Sequence, residues 1–389
     1  MKKMVILFLL MFVPISVFAM DEKPITDEII GEYAKLYGDE ISGAMTELDD
    51  TELEKIVPGF SVDEILVSLA KGENIFSIRE ICARGLNLLT AEVRSTVKIM
   101  IIILALSIMC TYLVNLQSGL GAEGMGQTAF FTCYAIISGI GAAAFFEIVK
   151  CGQTVIENIA VFMRALVPVV LACLVSSGAV ISATAFEAVL MTVIEITEWI
   201  IETIFLPILM MTAALNIVNN MSERLNAEKL VQTMNKTVKW GLGILLTIFV
   251  GITGLQGIAS GSADGLTVKV TRFAAANLIP VVGGILSETV ETVMNCSVVI
   301  KNAVGITGII IVVLVSAVPI IKTSACLVLF RISAAIIQPI SDKKIVKCIS
   351  ELADSVSCIL SIMVAVTVMF IIILTITINV GNSAMMLGR

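Results

Sequence analysis

Long apolar runs broken by short polar or charged stretches set the plan of this chain. Ile99 to Leu116 and Thr128 to Phe146 each hold 18 or 19 uncharged residues. That is close to the roughly 20 an α-helix needs to cross about 30 Å of hydrocarbon at 1.5 Å per residue. Further apolar runs occupy Ala165 to Phe186, Trp240 to Ala263, Phe273 to Ser287 and Ser355 to Leu387. The pattern predicts an all-α polytopic membrane protein with 6–8 transmembrane helices.

Within those runs one motif occurs twice. Leu166-Val167-Pro168-Val169-Val170 returns as Leu278-Ile279-Pro280-Val281-Val282, and Leu206-Pro207-Ile208-Leu209 returns as Val318-Pro319-Ile320-Ile321. The two prolines of each copy are 39 residues apart (207 − 168 and 319 − 280), and the copies are offset by 112 (280 − 168). Each copy then reaches a basic connector, Ser222 to Lys239 or Ser341 to Asp354, followed by a final span. A duplicated helical unit is expected, with residues 159–272 as the first copy and 273–389 as the second. Two further transmembrane helices are expected in residues 99–158.

The N-terminal end has a different character. Met1 to Ala19 carries Lys2 and Lys3, an apolar core and small or β-branched residues before a polar segment, the layout of a signal peptide or of an uncleaved signal anchor. Residues 20–98 contain 17 acidic and 8 basic side chains, a net of −9 (8 − 17), against −7 for the whole chain. This reads as a small extracytoplasmic helical region. Pro58-Gly59-Phe60 marks a turn, and Ser61-Val62-Asp63-Glu64 and Ser77-Ile78-Arg79-Glu80 have capping-box spacing.

Charge bias bears on the threading, because short cytoplasmic loops are enriched in Lys and Arg. With the N-terminal region outside, two spans return the chain outside before Ala165. If Ala165 to Phe186 then breaks near Pro168 or Ser176-Ser177-Gly178 and turns back, both basic connectors fall inside. The same device at Pro280, Gly283 and Gly284 completes six spans and two re-entrant or broken segments. The alternative is eight ordinary spans with proline kinks. Non-helical backbone at membrane depth has to be buried in protein or line water, so Pro168, Pro280, Gly283 and Gly284 are candidate broken-helix positions near a conduction path.

Composition narrows the chemistry. Hydrophobic residues make up 58%, charged residues 15%, and mean hydropathy is +1.01. Histidine is absent from the sequence, which removes the usual general base near neutral pH and the commonest metal ligand. The nine cysteines form no C-x-x-C pair, so neither a disulfide framework nor a metal cluster is expected. No cofactor is expected. Gly119-Leu120-Gly121-Ala122-Glu123-Gly124 spells G-x-G-x-x-G, but it follows an apolar helix and reads as an interhelical loop.

Five charged side chains within apolar runs are the candidate pore or ion-path residues. Glu187, Glu195, Glu198 and Glu202 fall within about 80° of one another on a helix at about 100° per residue. Such a stripe marks an ion path or a set of paired partners, or else lies in water at the interface, a level that also suits Trp199. Arg331 is the lone charge between Thr323 and Ser341, and is expected to pair with one of those glutamates or to snorkel toward the nearby connector. Gly251, Gly254, Gly257 and Gly261 give the Trp240 span a smooth face suited to close helix packing.

The order of these parts carries a family resemblance. A signal sequence, an acidic helical region with Pro58-Gly59-Phe60-Ser61, Lys71-Gly72-Glu73 and Phe76-Ser77, and then the duplicated Leu-x-Pro-Val-Val spans resembles the stage III sporulation protein AE family of endospore-forming bacteria. The resemblance covers nearly the whole chain and rests on architecture and short apolar motifs. It implies a multi-pass protein of the mother-cell membrane around the forespore, acting in a channel or secretion-like apparatus. The implied partners are sister stage III membrane proteins, including a cytoplasmic ATPase and ring-forming proteins, with the lipid bilayer around them and no nucleic acid. It implies no catalytic residue, so the site residues rest on the physical reading alone. A stand-alone secondary transporter for a small solute is the competing expectation, and an intramembrane enzyme is disfavoured without histidine or a paired catalytic motif.

Overall fold

The computed structural model describes residues 43, 68–69, 78–119, 123–221, 227–278 and 283–388. The signal peptide, most of the acidic region with its turn and capping boxes, and Pro280 lie outside the described residues. The elements in order are α1 (Ile78–Gly119), α2 (Glu123–Ser176), α3 (Val180–Ile200), a π-helical segment (Ile201–Phe205), α4 (Leu206–Met221), α5 (Glu228–Leu278), α6 (Gly283–Ile337) and α7 (Lys343–Gly388). With α3, the π segment and α4 counted as one rod, six helices are long and apolar enough to cross a membrane. The chain is an all-α polytopic membrane protein.

α2 departs from the sequence expectation. Thr128 to Phe146 and Ile159 to Ser176 belong to one uninterrupted helix of 54 residues, about 81 Å long at 1.5 Å per residue. The polar stretch between them, Glu147 to Glu157, contains no proline, and Lys150 caps the Phe146 ring at 5.3 Å. Glu, Lys and Gln favour helix there, and Gly152 lies close against Ile359 of α7, so the helix runs on through the charged interruption. Pro168 does not break it either. Its ring is on an exposed face, so the cost is the lost bond to the Arg164 carbonyl and not a steric collision with a neighbouring helix.

The break falls instead at Ser177-Gly178. Gly178 has φ 89°, in the left-handed region, and the N–H of Ala179 donates to the Leu174 carbonyl while that of Gly178 donates to Val175. This pair of bonds is a Schellman motif, which ends α2 cleanly and lets α3 fold back against it. Pro280 lies between α5, which ends at Leu278, and α6, which begins at Gly283; Gly283 and Gly284 are already in the first turn of α6.

Successive long helices pack on one another, so the chain reverses at each connection. Six crossings place Gly119–Glu123, Met221–Glu228 and Ile337–Lys343 at one end, hereafter the connector end, and Ser176–Val180 and Leu278–Gly283 at the other. Both basic connectors thus share an end, and the break at Ser177-Gly178 is the far turn of a helical hairpin. Contacts at the connector end agree: Lys347 reaches Glu228 at 3.2 Å, and Asn220 donates to Glu351.

α7 is the centre of the bundle and packs on α6, α5, α2 and α4. Leu352, Val356, Ile359, Met363, Val366 and Phe370 recur at helical spacing and are buried. In lipid such burial stabilises through close van der Waals contact more than through removal of apolar surface from water. Glycine makes the closest approaches possible: a Cβ on Gly305 would collide with Ile378, and one on Gly308 with Leu166. α5 is the contrast. It too follows a basic connector, yet 17% of its most apolar window is buried against 56% for α7.

Candidate functional site at the joint of α2, α3 and the π segment

The glutamate stripe lies on α3 and the π segment, and its four members meet different surroundings. Glu187 and Glu195 are exposed. Glu198 is largely covered and accepts a hydrogen bond from Arg164 of α2 at 2.5 Å, with side-chain exposures of 16% and 36%. Glu202, half-buried, stands in the same electrostatic neighbourhood as Glu198, Glu157 and Arg164. One ion pair, Arg164–Glu198, is thus made where α2 meets α3, and the Glu202 and Glu157 carboxylates act on the same neighbourhood electrostatically. Acidic side chains at membrane depth are costly, and the Arg164 guanidinium offsets that cost at Glu198.

Pro207 explains the local shape. Without an N–H it cannot donate to the carbonyl of Thr203, and its ring crowds that carbonyl. The helix answers with a wide turn over Ile201–Phe205, in which the N–H of Leu206 donates to Ile201, five residues back. Glu202 sits in that turn. Gly241 of α5 lies beside it, since a Cβ there would come within 3.0 Å of Phe205. Pro319, which stands in a similar sequence motif, lies inside a regular α-helix and is buried, so the two prolines act differently.

Arg331 is not brought to the stripe. It pairs with Asp354 at the start of the α7 span, both side chains about half exposed, which is the snorkelling outcome toward the connector. The glycine face of α5 also divides: Gly257 packs on Ile376 and Val380, while Gly251 and Gly254 have open space beside them.

Other charges were not anticipated. Lys301 of α6 is fully buried and donates to the backbone carbonyl of Ile378 on α7 at 2.6 Å, one turn from the tight Gly305 contact. It is the lone charge between Glu291 and Lys322, the same signal that singled out Arg331. Lys322 meets Glu147 at 2.8 Å. At the connector end Lys347 lies between Glu228 and Glu351, and Glu351 also holds Asn220, which ties α4, α5 and α7 together.

Comparison with known proteins follows the architecture. The family model described as stage III sporulation protein AE matches residues 60–381. A protein of Bacillus subtilis (strain 168) named "Stage III sporulation protein AE" is 29% identical over 322 residues, covering 83% of this chain and 81% of that one. No solved structure matches.

Proposed function

This chain belongs to the stage III sporulation protein AE family, and on that premise we propose that it is a non-enzymatic, membrane-embedded subunit of a channel or secretion-like complex joining mother cell and forespore. The observation that carries this reading is the family match over 322 residues (381 − 60 + 1) of a multi-pass helical bundle. Energy comes from a separate cytoplasmic ATPase, and ring-forming stage III proteins complete the passage. The packed interior around α7 supports a role as one component among several, since a chain that carried cargo alone would need room within its own bundle. The cluster of Glu157, Arg164, Glu198 and Glu202 is the candidate ion path, and the hairpin turns near Gly178 and Pro280 are the candidate contact points for partners.

The test is affinity purification from sporulating cells. A stable complex with an ATPase and ring-forming proteins is expected. Solute uptake by the purified chain alone in liposomes, with no such complex recovered, would establish a stand-alone transporter instead.

A further inference from the structure

We propose that the outward face of α5 holds an anionic phospholipid of the leaflet at the connector end, its phosphate on Lys236 and Lys239 and its upper chain beside Trp240. Together with α1, α5 is the least covered of the long helices: 17% of the most apolar window of each is buried. Trp240 is 74% exposed, and Lys229, Lys236 and Lys239 are exposed without a carboxylate partner among the described residues. The acidic residue that opens the helix, Glu228, is already engaged by Lys347 of α7. Among the described residues no carboxylate pairs with this cationic face.

Lys229, Lys236 and Trp240 lie within about 40° of one another at about 100° per residue, and Lys239 flanks them. Past Trp240 the exposed side chains turn apolar at Ile244, Ile248 and Leu255. A Cβ added at Gly243, Gly251 or Gly254 would meet nothing within 4 Å. An indole between a cationic band and an apolar band marks the headgroup level. An occupant must supply negative charge beside Lys236 and hydrocarbon beside Ile244, and an anionic phospholipid does both in one molecule. Asn235 lies against Cys358 of α7 at 3.9 Å, which fixes how this stretch of α5 is turned and so which side is outward. The inference does not depend on the proposed function.

The sequence supplies its own probe, because Trp199 and Trp240 are the two tryptophans. Trp199→Phe leaves Trp240 as the sole indole in the full chain. The protein would be placed in phosphatidylcholine nanodiscs containing rising fractions of brominated phosphatidylglycerol or brominated phosphatidylcholine, and indole quenching recorded. The expected result is half-maximal quenching at a roughly 25-fold lower fraction of the anionic lipid, since each of the two lysines near an anionic headgroup contributes about fivefold. That preference should vanish in Lys236→Gln/Lys239→Gln, persist in Lys236→Arg/Lys239→Arg, and weaken at high salt. Equal quenching by both lipids would overturn the proposal in favour of ordinary bilayer contact. Absence of quenching by either would overturn it in favour of a protein surface, such as a second copy, covering α5. Full preference in the Gln variant would also sink it.

Discussion

Glycine separates the positions where this fold depends on one residue from those where it does not. Gly178 adopts a backbone conformation that disfavours a side chain, Gly308 sits under Leu166, and Gly243 faces open space. Gly178→Ala should cost about 1–2 kcal/mol through left-handed strain, and Gly308→Ala roughly 1–3 kcal/mol through overpacking. Gly243→Ala should be neutral or stabilising by up to about 1 kcal/mol. Thermal melts of helical circular dichroism in detergent measure all three, and equal shifts would refute the distinction. Part of this was legible in the sequence: the Ser176-Ser177-Gly178 turn can be read, because Gly after an apolar helical run signals a C-terminus. The open side of Gly251 and Gly254 cannot, since spacing reports that a face is smooth and not which neighbour covers it. For the same reason Arg331 stands out as an isolated charge while its partner does not. Which carboxylate an arginine meets depends on how helices 23 or 34 residues apart are rotated, as Arg331–Asp354 and Arg164–Glu198 show.

At the scale of elements, the π segment sets the rotation of α3 relative to α4. Pro207→Ala restores the missing N–H and removes the reason for the wide turn, so a regular helix should form and turn α3 by about 100°, one residue's worth. Glu198 would then leave Arg164. In a cysteine-free background, Arg164→Cys/Glu198→Cys should cross-link readily with Pro207 present and much less with Pro207→Ala; unchanged cross-linking would show that neighbours, not the proline, impose the bulge. Sequence reasoning found the spans by hydropathy but joined them differently. Charges at Glu147, Lys150 and Glu157 suggest an exit from the membrane, yet charge does not stop a helix that has partners such as Lys322 to receive it. Apolar windows measure where a helix can lie in lipid, whereas helix ends are set by caps and by residues such as Gly178.

For the whole molecule, the alternation of six crossings predicts sidedness. Single cysteines at Gln232 and Lys344 should resist an impermeant thiol reagent added from outside, while one at Asp50 reacts; labelling of Lys344→Cys with Asp50→Cys protected would invert the arrangement. The difference in burial between α5 and α7 was not legible, because in a chain this apolar a hub helix and a rim helix have similar composition. The unbroken length of α2 has a mechanical side. A rod of about 81 Å whose lower part is held by Tyr134 to Ile217 on α4 and whose upper part is gripped through Leu166 by α6 is a lever with two bearings. A tilt of about 5° about the Tyr134 bearing would move the Ser176 end, about 63 Å away (42 × 1.5), by about 5.5 Å, close to the 5.4 Å pitch of a helix. A displacement imposed near Tyr134 would thus reach the Ser177-Gly178 turn enlarged to about one helical pitch.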